Sequence, residues 1–176
     1  MTKIISERMT AELGEEFVVF RIGMRINSLW KLHQWLPVFR AMPRMLDELD
    51  ADSERGLLAW DLKPGFRVQE VVQYWRSFED LREYALDGDA EHAPAMRWAN
   101  ELLDETDAVG IWHETYVISS GEYETVYENT PPIGLAKAGE LRPATDQRRT
   151  AAGRLGVTKG GEIEADGVRS AAAERS

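Results

Sequence analysis

Ten residues, Phe17-Val-Val-Phe-Arg-Ile-Gly-Met-Arg-Ile26, constrain this chain more than any other segment. They are rich in β-branched and aromatic side chains, which suit a strand. Their side chains divide with a period of two. The even positions, Val18, Phe20, Ile22, Met24 and Ile26, are all apolar, whereas the odd positions, Phe17, Val19, Arg21, Gly23 and Arg25, include two arginines. Such a strand belongs in a sheet with one face under helices and the other toward something polar or a cavity.

The elements that follow supply the layers. Residues 28–50 have helical spacing (Trp30, Leu32, Trp35, Leu36, Phe39, Met42, Met45, Leu46, Leu49), with Asn27 or Ser28 as the expected cap. Pro37 and Pro43 interrupt the spacing and predict a kinked or two-piece helix. Residues 55–62 and 66–75 read as strands around a Lys63-Pro-Gly65 turn. Ser77-Phe-Glu-Asp80 is a capping box that opens a helix over 78–86. Gly88 to Pro94 breaks that helix, and residues 95–103 resume it. Residues 108–118 form a fourth strand, and Tyr123–Tyr127 a short fifth one. The order β-α-β-β-α-β is that of a ferredoxin-like α+β fold. Helices on one side leave the other side of the sheet bare, with Phe17, Val19 and Trp75 near it. Two copies closing these faces would form a homodimeric α+β barrel around a cavity.

The length of 176 residues suits one domain, expected over residues 1–138. Residues 136–176 hold only five Leu, Ile or Val and no aromatic residue, so residues 139–176 are expected to be a disordered tail. Residues 1–135 carry 13 basic and 25 acidic side chains, a balance that repels phosphate backbones and anionic lipid. Nucleic-acid and membrane partners are therefore not expected. All six tryptophans fall between Trp30 and Trp112, enough bulk for a core and for lining a small-molecule cavity. There is no cysteine, so no thiolate site or disulfide. Neither a signal-peptide pattern nor a membrane-length apolar run occurs, and a cytoplasmic location is the expectation.

No phosphate-binding glycine loop, serine elbow or zinc helix motif occurs, so attention falls on three histidines. His113 is mid-strand on the face of Ile111, Thr115 and Val117, either a satisfied core imidazole or a cavity-facing acid/base group. His92 lies in the broken helix two residues before Pro94, where a surface role is the plain reading. His33, among Trp30, Trp35 and Leu36, suits helix packing. Arg21 and Arg25 share a strand face, where they could pair with acidic neighbours or grip a carboxylate or propionate inside the barrel.

Several of these stretches are familiar together: Ile22-Gly-Met-Arg-Ile-Asn27, Trp35-Leu-Pro-Val-Phe-Arg-Ala-Met-Pro-Arg-Met45, Gln73-Tyr-Trp-Arg-Ser-Phe-Glu-Asp80 and Gly110-Ile-Trp-His-Glu-Thr-Tyr116. Over roughly residues 7–138 the chain resembles an actinobacterial and fungal family grouped with monooxygenase-like proteins, including one of the fumagillin pathway. The resemblance implies the dimeric α+β barrel of the antibiotic-biosynthesis monooxygenases. A second stretch, with Glu91-His92, Trp112-His113-Glu114 and Tyr123 to Asn129, resembles the C-terminal part of haem-containing aldoxime dehydratases. That likeness implies haem, with His92 as axial ligand and His113 as the distal catalytic group. Arg21 or Arg25 would stand in for a distal arginine supplied by the longer enzymes' N-terminal half. Nothing in this chain matches their distal serine.

The leading expectation is a monooxygenase-like oxidoreductase acting on a small, mainly apolar organic molecule, with haem as the candidate cofactor. His113 and Arg21 are its expected catalytic residues, and His92 and Arg25 its expected cofactor contacts. The alternatives are a haem lyase of the aldoxime dehydratase type and a non-catalytic ligand-binding barrel.

Overall fold

A computed structural model describes residues 3–87, 101 and 103–156. In chain order its elements are β1 (Met9–Glu12), β2 (Glu16–Ile26), α1 (Leu32–Ala51), β3 (Leu57–Lys63) and β4 (Val68–Trp75). They continue with α2 (Phe78–Leu86), β5 (Val109–Ser119), α3 (Leu135–Ala138), β6 (Glu140–Pro143) and α4 (Ala151–Arg154). The main sheet has the order β3-β4-β2-β5, and every pair in it is antiparallel. With β2, β3, β4 and β5 as its four strands, this is the ferredoxin-like arrangement. The long alternating segment is one of its two inner strands, paired along its length with β5.

The apolar even positions of β2 hold the helices. Val18 packs with Leu49, Trp75 and Leu81, and Met24 and Ile26 pack with Val109, Trp35, Val38 and Leu103. Trp75 and Val18 are completely buried there. At the start of α2, Ser77 Oγ accepts the Asp80 N–H at 3.0 Å and donates to the Asp80 carboxylate at 2.8 Å. The Arg76 guanidinium, with help from Ser77, holds the Asp80 carboxyl below the usual carboxylate range.

Several expectations are corrected. Residues 32–51 form one unbroken helix that contains both Pro37 and Pro43. Packing of its apolar stripe on the sheet outweighs the two backbone bonds that the prolines forfeit. Its N-cap is Lys31, which makes no side-chain cap bond. Asn27 is used otherwise, donating from Nδ2 to the Asp107 carbonyl at 2.9 Å. In place of a fifth strand over 123–127 there are isolated bridges, Met9 to Tyr127 and Ile5 to Thr130.

The expected tail is ordered over its first part. Glu140–Pro143 pairs antiparallel with Met9–Glu12, making a two-stranded sheet from the ends of the described chain. Ala144 is buried beside it, and Arg154 meets Glu124 at 2.6 Å with its side chain only 6% exposed. Backbone pairing and two or three local anchors suffice there, although the composition of the whole segment is poor in apolar residues. Nor is the second face of the sheet bare. Phe17, Val19, Tyr74 and Ile118 are covered by Ala11, Leu135, Ala136, Tyr123 and Tyr127. Phe17 is thus buried within the protomer, and Trp75 belongs to the helix side.

Candidate functional site

Antiparallel register places every candidate on one side of the sheet or the other, because directly paired residues share a face. His113 pairs with Ile22, which pairs in turn with Val71. The neighbouring row is Thr115, Phe20 and Gln73. These residues lie on the helix side, since Val18, Met24 and Ile26 of the same alternation pack under the helices. The His113 ring lies 5.7 Å from the ring of Phe20, tilted by 41°. The imidazole is exposed, and among the described residues it has no hydrogen-bond partner. Gln73 is buried, and its Oε1 accepts the indole N–H of Trp75 at 2.9 Å. Two strand spacings and a two-residue step, roughly 12 Å in all, separate the Gln73 and His113 positions, with Phe20 and Ile22 as an apolar floor between them.

The opposite side is built from charges. Arg21 donates from Nε to Glu70 and from Nη1 to Glu114, each at 2.6 Å. Tyr116 donates its hydroxyl to the same Glu114 oxygen at 2.9 Å. The guanidinium also stands 5.4 Å from the centre of the Trp112 ring. That indole lies across β2, where a Cβ on Gly23 would come within 2.6 Å of it. Arg25 bonds Asn27 through its side chain. The arginines therefore take the acidic- and polar-neighbour role, and Arg21 does not present a free fork to a ligand.

Beside this cluster, Asp61 is only 7% exposed and anchors the cover over the sheet. Its carboxylate accepts from Lys137 Nζ and from the Gly134 N–H, both at 2.5 Å, with Lys63 at 3.6 Å. Burial works to raise this carboxyl, but the Lys137 ammonium and the Gly134 N–H prevail and hold it below the usual range. Gly134 has a φ of +59°, a left-handed conformation, and a Cβ there would meet the Tyr74 hydroxyl at 3.3 Å. Burial, with smaller contributions from Tyr127 and Asp61, pushes Tyr74 up to about 12. A separate polar groove of about 560 Å³ runs between β1 and α4. Its charged lining is paired within itself, Arg148 with Glu12 and Arg154 with Glu124.

His113 and Arg21 therefore point away from each other through the sheet, and Arg25 shares the Arg21 side. The physical reason is the period of two: cross-strand partners share a face, and Arg21 pairs with Glu114, the residue after His113. These three side chains do not converge on one planar cofactor in a protomer, so they do not fit haem as a set. His92 lies outside the described residues. Asp61, Glu70 and Lys137 carry much of the polar architecture of the opposite side, and sequence reasoning did not single them out for it. Glu70 and Asp61 lie on β4 and β3 and Lys137 on the short α3 helix, so only pairings across the fold bring each to its partner.

Comparison with known proteins gives a consistent relation. The model of the family described as Monooxygenase af470-like matches residues 17–135. Monooxygenase af470 of Aspergillus fumigatus is 26% identical, over 81% of this chain and 57% of its own length. The chain thus spans little more than half of that curated relative. Among solved structures, SnoaB, a cofactor-independent oxygenase from Streptomyces nogalater, is 12% identical with a TM-score of 0.40, covering 57% of this chain and 91% of SnoaB. A dimeric ferredoxin-like protein from an uncultured marine organism is 11% identical with a TM-score of 0.38, over 58% and 94% of the two chains.

Proposed function

Because this chain belongs to the Monooxygenase af470-like family, we propose that it is a monooxygenase-like oxidoreductase acting on a small, mainly apolar organic molecule. The substrate lies against the helix side of the sheet, over Phe20 and Ile22. The observation that carries this reading is His113, an exposed imidazole beside an aromatic ring with no structural bond among the described residues to occupy it. An apolar floor with few polar groups at its margins is the usual composition of a small-molecule site. His113 then serves as the base that withdraws a proton from an acidic C–H, leaving the electron pair on the substrate for dioxygen. For a methylene carbon this balances without a further reductant. The two hydrogens leave with one oxygen atom as water, and the other oxygen becomes the carbonyl of the product. We further place the protein as a homodimer joined over the uncovered part of the opposite face, where Tyr116 is 46% exposed. Light scattering at micromolar concentration that returned the 20.0 kDa monomer would refute the dimer.

The test of the reaction is incorporation of isotopically labelled dioxygen into a panel of polycyclic aromatic compounds bearing activated methylene groups. We expect label in the product, and His113→Ala should cut turnover by about 10²–10⁴-fold with the far-ultraviolet spectrum unchanged. Label absent from every product, with or without added haemin, would overturn the oxygenase reading. Unchanged turnover in His113→Ala would remove the histidine from it.

A further inference from the structure

Resting on the reading of His113 as the base, we propose that Gln73 holds the oxygen of the substrate. Its side-chain amide nitrogen donates to a conjugated carbonyl, the atom that takes up negative charge when the C–H proton leaves. Gln73 is only 6% exposed, and its Oε1 accepts the indole N–H of Trp75 at 2.9 Å. An indole nitrogen can only donate, so the carboxamide must turn its oxygen toward Trp75 and its NH2 group away. Nε2 makes no hydrogen bond among the described residues. It is also absent from their fully enclosed, partnerless atoms, so it opens onto accessible space. A buried residue that keeps two amide donors unspent has a use for them.

The surroundings make this donor distinctive. Gln73 pairs with Phe20 on one side and Trp60 on the other, so the three share the helix side of the sheet. The Trp60 indole is already engaged, donating to Asp50 at 2.9 Å. Thr115, at the β5 end of the same row, is exposed to water. Away from Trp75 on the same face lies the next row, Val71, Ile22 and His113. Trp75 itself is completely buried among Val18, Leu49 and Leu81, which fixes the oxygen end of the amide. A donor held by packing needs no reorganisation when charge develops, and its effect grows where water is excluded.

The Gln73 and His113 positions stand roughly 12 Å apart over Phe20 and Ile22, a span that a flat conjugated molecule can bridge. The C–H bond breaks at the His113 end, and its proton passes to the imidazole. The electron pair of that bond spreads through the conjugated system to the oxygen at the Gln73 end. As an enolate, this oxygen accepts from Nε2 more strongly than the ketone did. The bond therefore favours the transition state over the ground state, which is the condition for raising the rate. Gln73 neither gains nor loses a proton, and the same electron pair remains for dioxygen.

9-Fluorenone separates this role from the reaction, because it offers a carbonyl and no methylene to oxidise. In the absence of oxygen, the full chain should bind it at least about tenfold more tightly than fluorene, which lacks the carbonyl. The carbonyl stretch of the bound ketone should move to lower wavenumber. Gln73→Glu at alkaline pH keeps an oxygen for Trp75 but removes the donor. It should erase the preference and the shift while the near-ultraviolet spectrum of the tryptophans stays native. Gln73→Met removes the donor at similar volume and serves where the carboxylate prevents folding. With an oxidisable substrate, Gln73→Glu should lower kcat about 10²–10³-fold and change KM much less. No binding of fluorenone, equal affinity for the two compounds, an unshifted carbonyl, or a preference kept in either variant would each overturn the role of Gln73. A ketone preference that depends on Gln73, with no dioxygen label in any product, would sink the oxygenase reading and leave this oxygen site standing.

Discussion

On the helix side of the sheet, Val18, Trp75, Leu49 and Leu81 form a dry core, and the exposed imidazole of His113 is bound to nothing among the described residues. On the other side, Arg21, Glu70, Glu114, Asp61 and Lys137 are all tied to one another or to the main chain. The two faces belong to the same strands, so propensity does not separate them. What separates them is what lies above. Among the described elements, α1 and α2 cover one face with apolar side chains, while α3 and the β1–β6 pair cover part of the other with a second apolar cluster around Phe17, and α3 is tied down further by the buried Asp61 carboxylate. On the first face Gln73 is bonded to Trp75 but His113 is left available for chemistry, whereas Arg21, Glu70, Glu114 and Asp61 on the second are consumed by holding the structure.

The most damaging way to break this contrast is Trp75→Ala. Trp75 is completely buried under both helices, and truncation leaves a cavity that the packed surroundings fill only in part. A loss of about 3–5 kcal/mol is expected from urea denaturation. Tyr116→Ala, on the exposed part of the other face, should cost no more than about 1 kcal/mol. A similar loss for both would mean that the second face is as much a core as the first.

Asp61→Asn comes next, because it strikes the carboxylate that, among the described residues, is the one buried on the charged side. It leaves Lys137 without its counter-charge, at an expected cost of about 2–4 kcal/mol. The sign with pH follows from the direction of the shift. The folded-state carboxyl lies below its unfolded value, so its stabilisation is complete above about pH 4 to 5 and fades as pH falls through the folded value. Wild type should therefore lose stability toward Asp61→Asn on acidification. Urea midpoints measured from neutral pH downward should converge, and parallel curves would show that Asp61 is not the anchor of α3.

Much of this arrangement is legible in the residues. The alternation of Val18, Phe20, Ile22 and Met24 marks the helix side, and Ser77 with Asp80 marks the start of α2 to the residue. The rest depends on pairings across long separations. Lys137 finds Asp61 from 76 residues away, and Gly23 is glycine because Trp112 crosses it from the neighbouring strand. The β6 strand has four residues, too few for a period to register, and its partner β1 lies at the far end of the chain. At the candidate site, His113 was visible as a lone strand imidazole. That it and Arg21 face apart follows from strand register, which composition does not contain.

Arg21→Met should give the smallest effect on stability. Arg21 makes two 2.6 Å ion pairs, which would be a large contribution if dry, but its side chain is 37% exposed and that of Glu114 43%. Exposed pairs of this kind are worth roughly 0–1 kcal/mol, because water and salt solvate the separated partners nearly as well. Methionine keeps most of the apolar stem that lies beside Trp112, so packing changes little. The denaturation midpoint should move by that small amount, and the difference from wild type should shrink further at high salt. Turnover should survive, since the guanidinium lies on the face away from His113. If Arg21→Met instead abolished activity while leaving the fold intact, the charged face would be the site of chemistry and His113 would not.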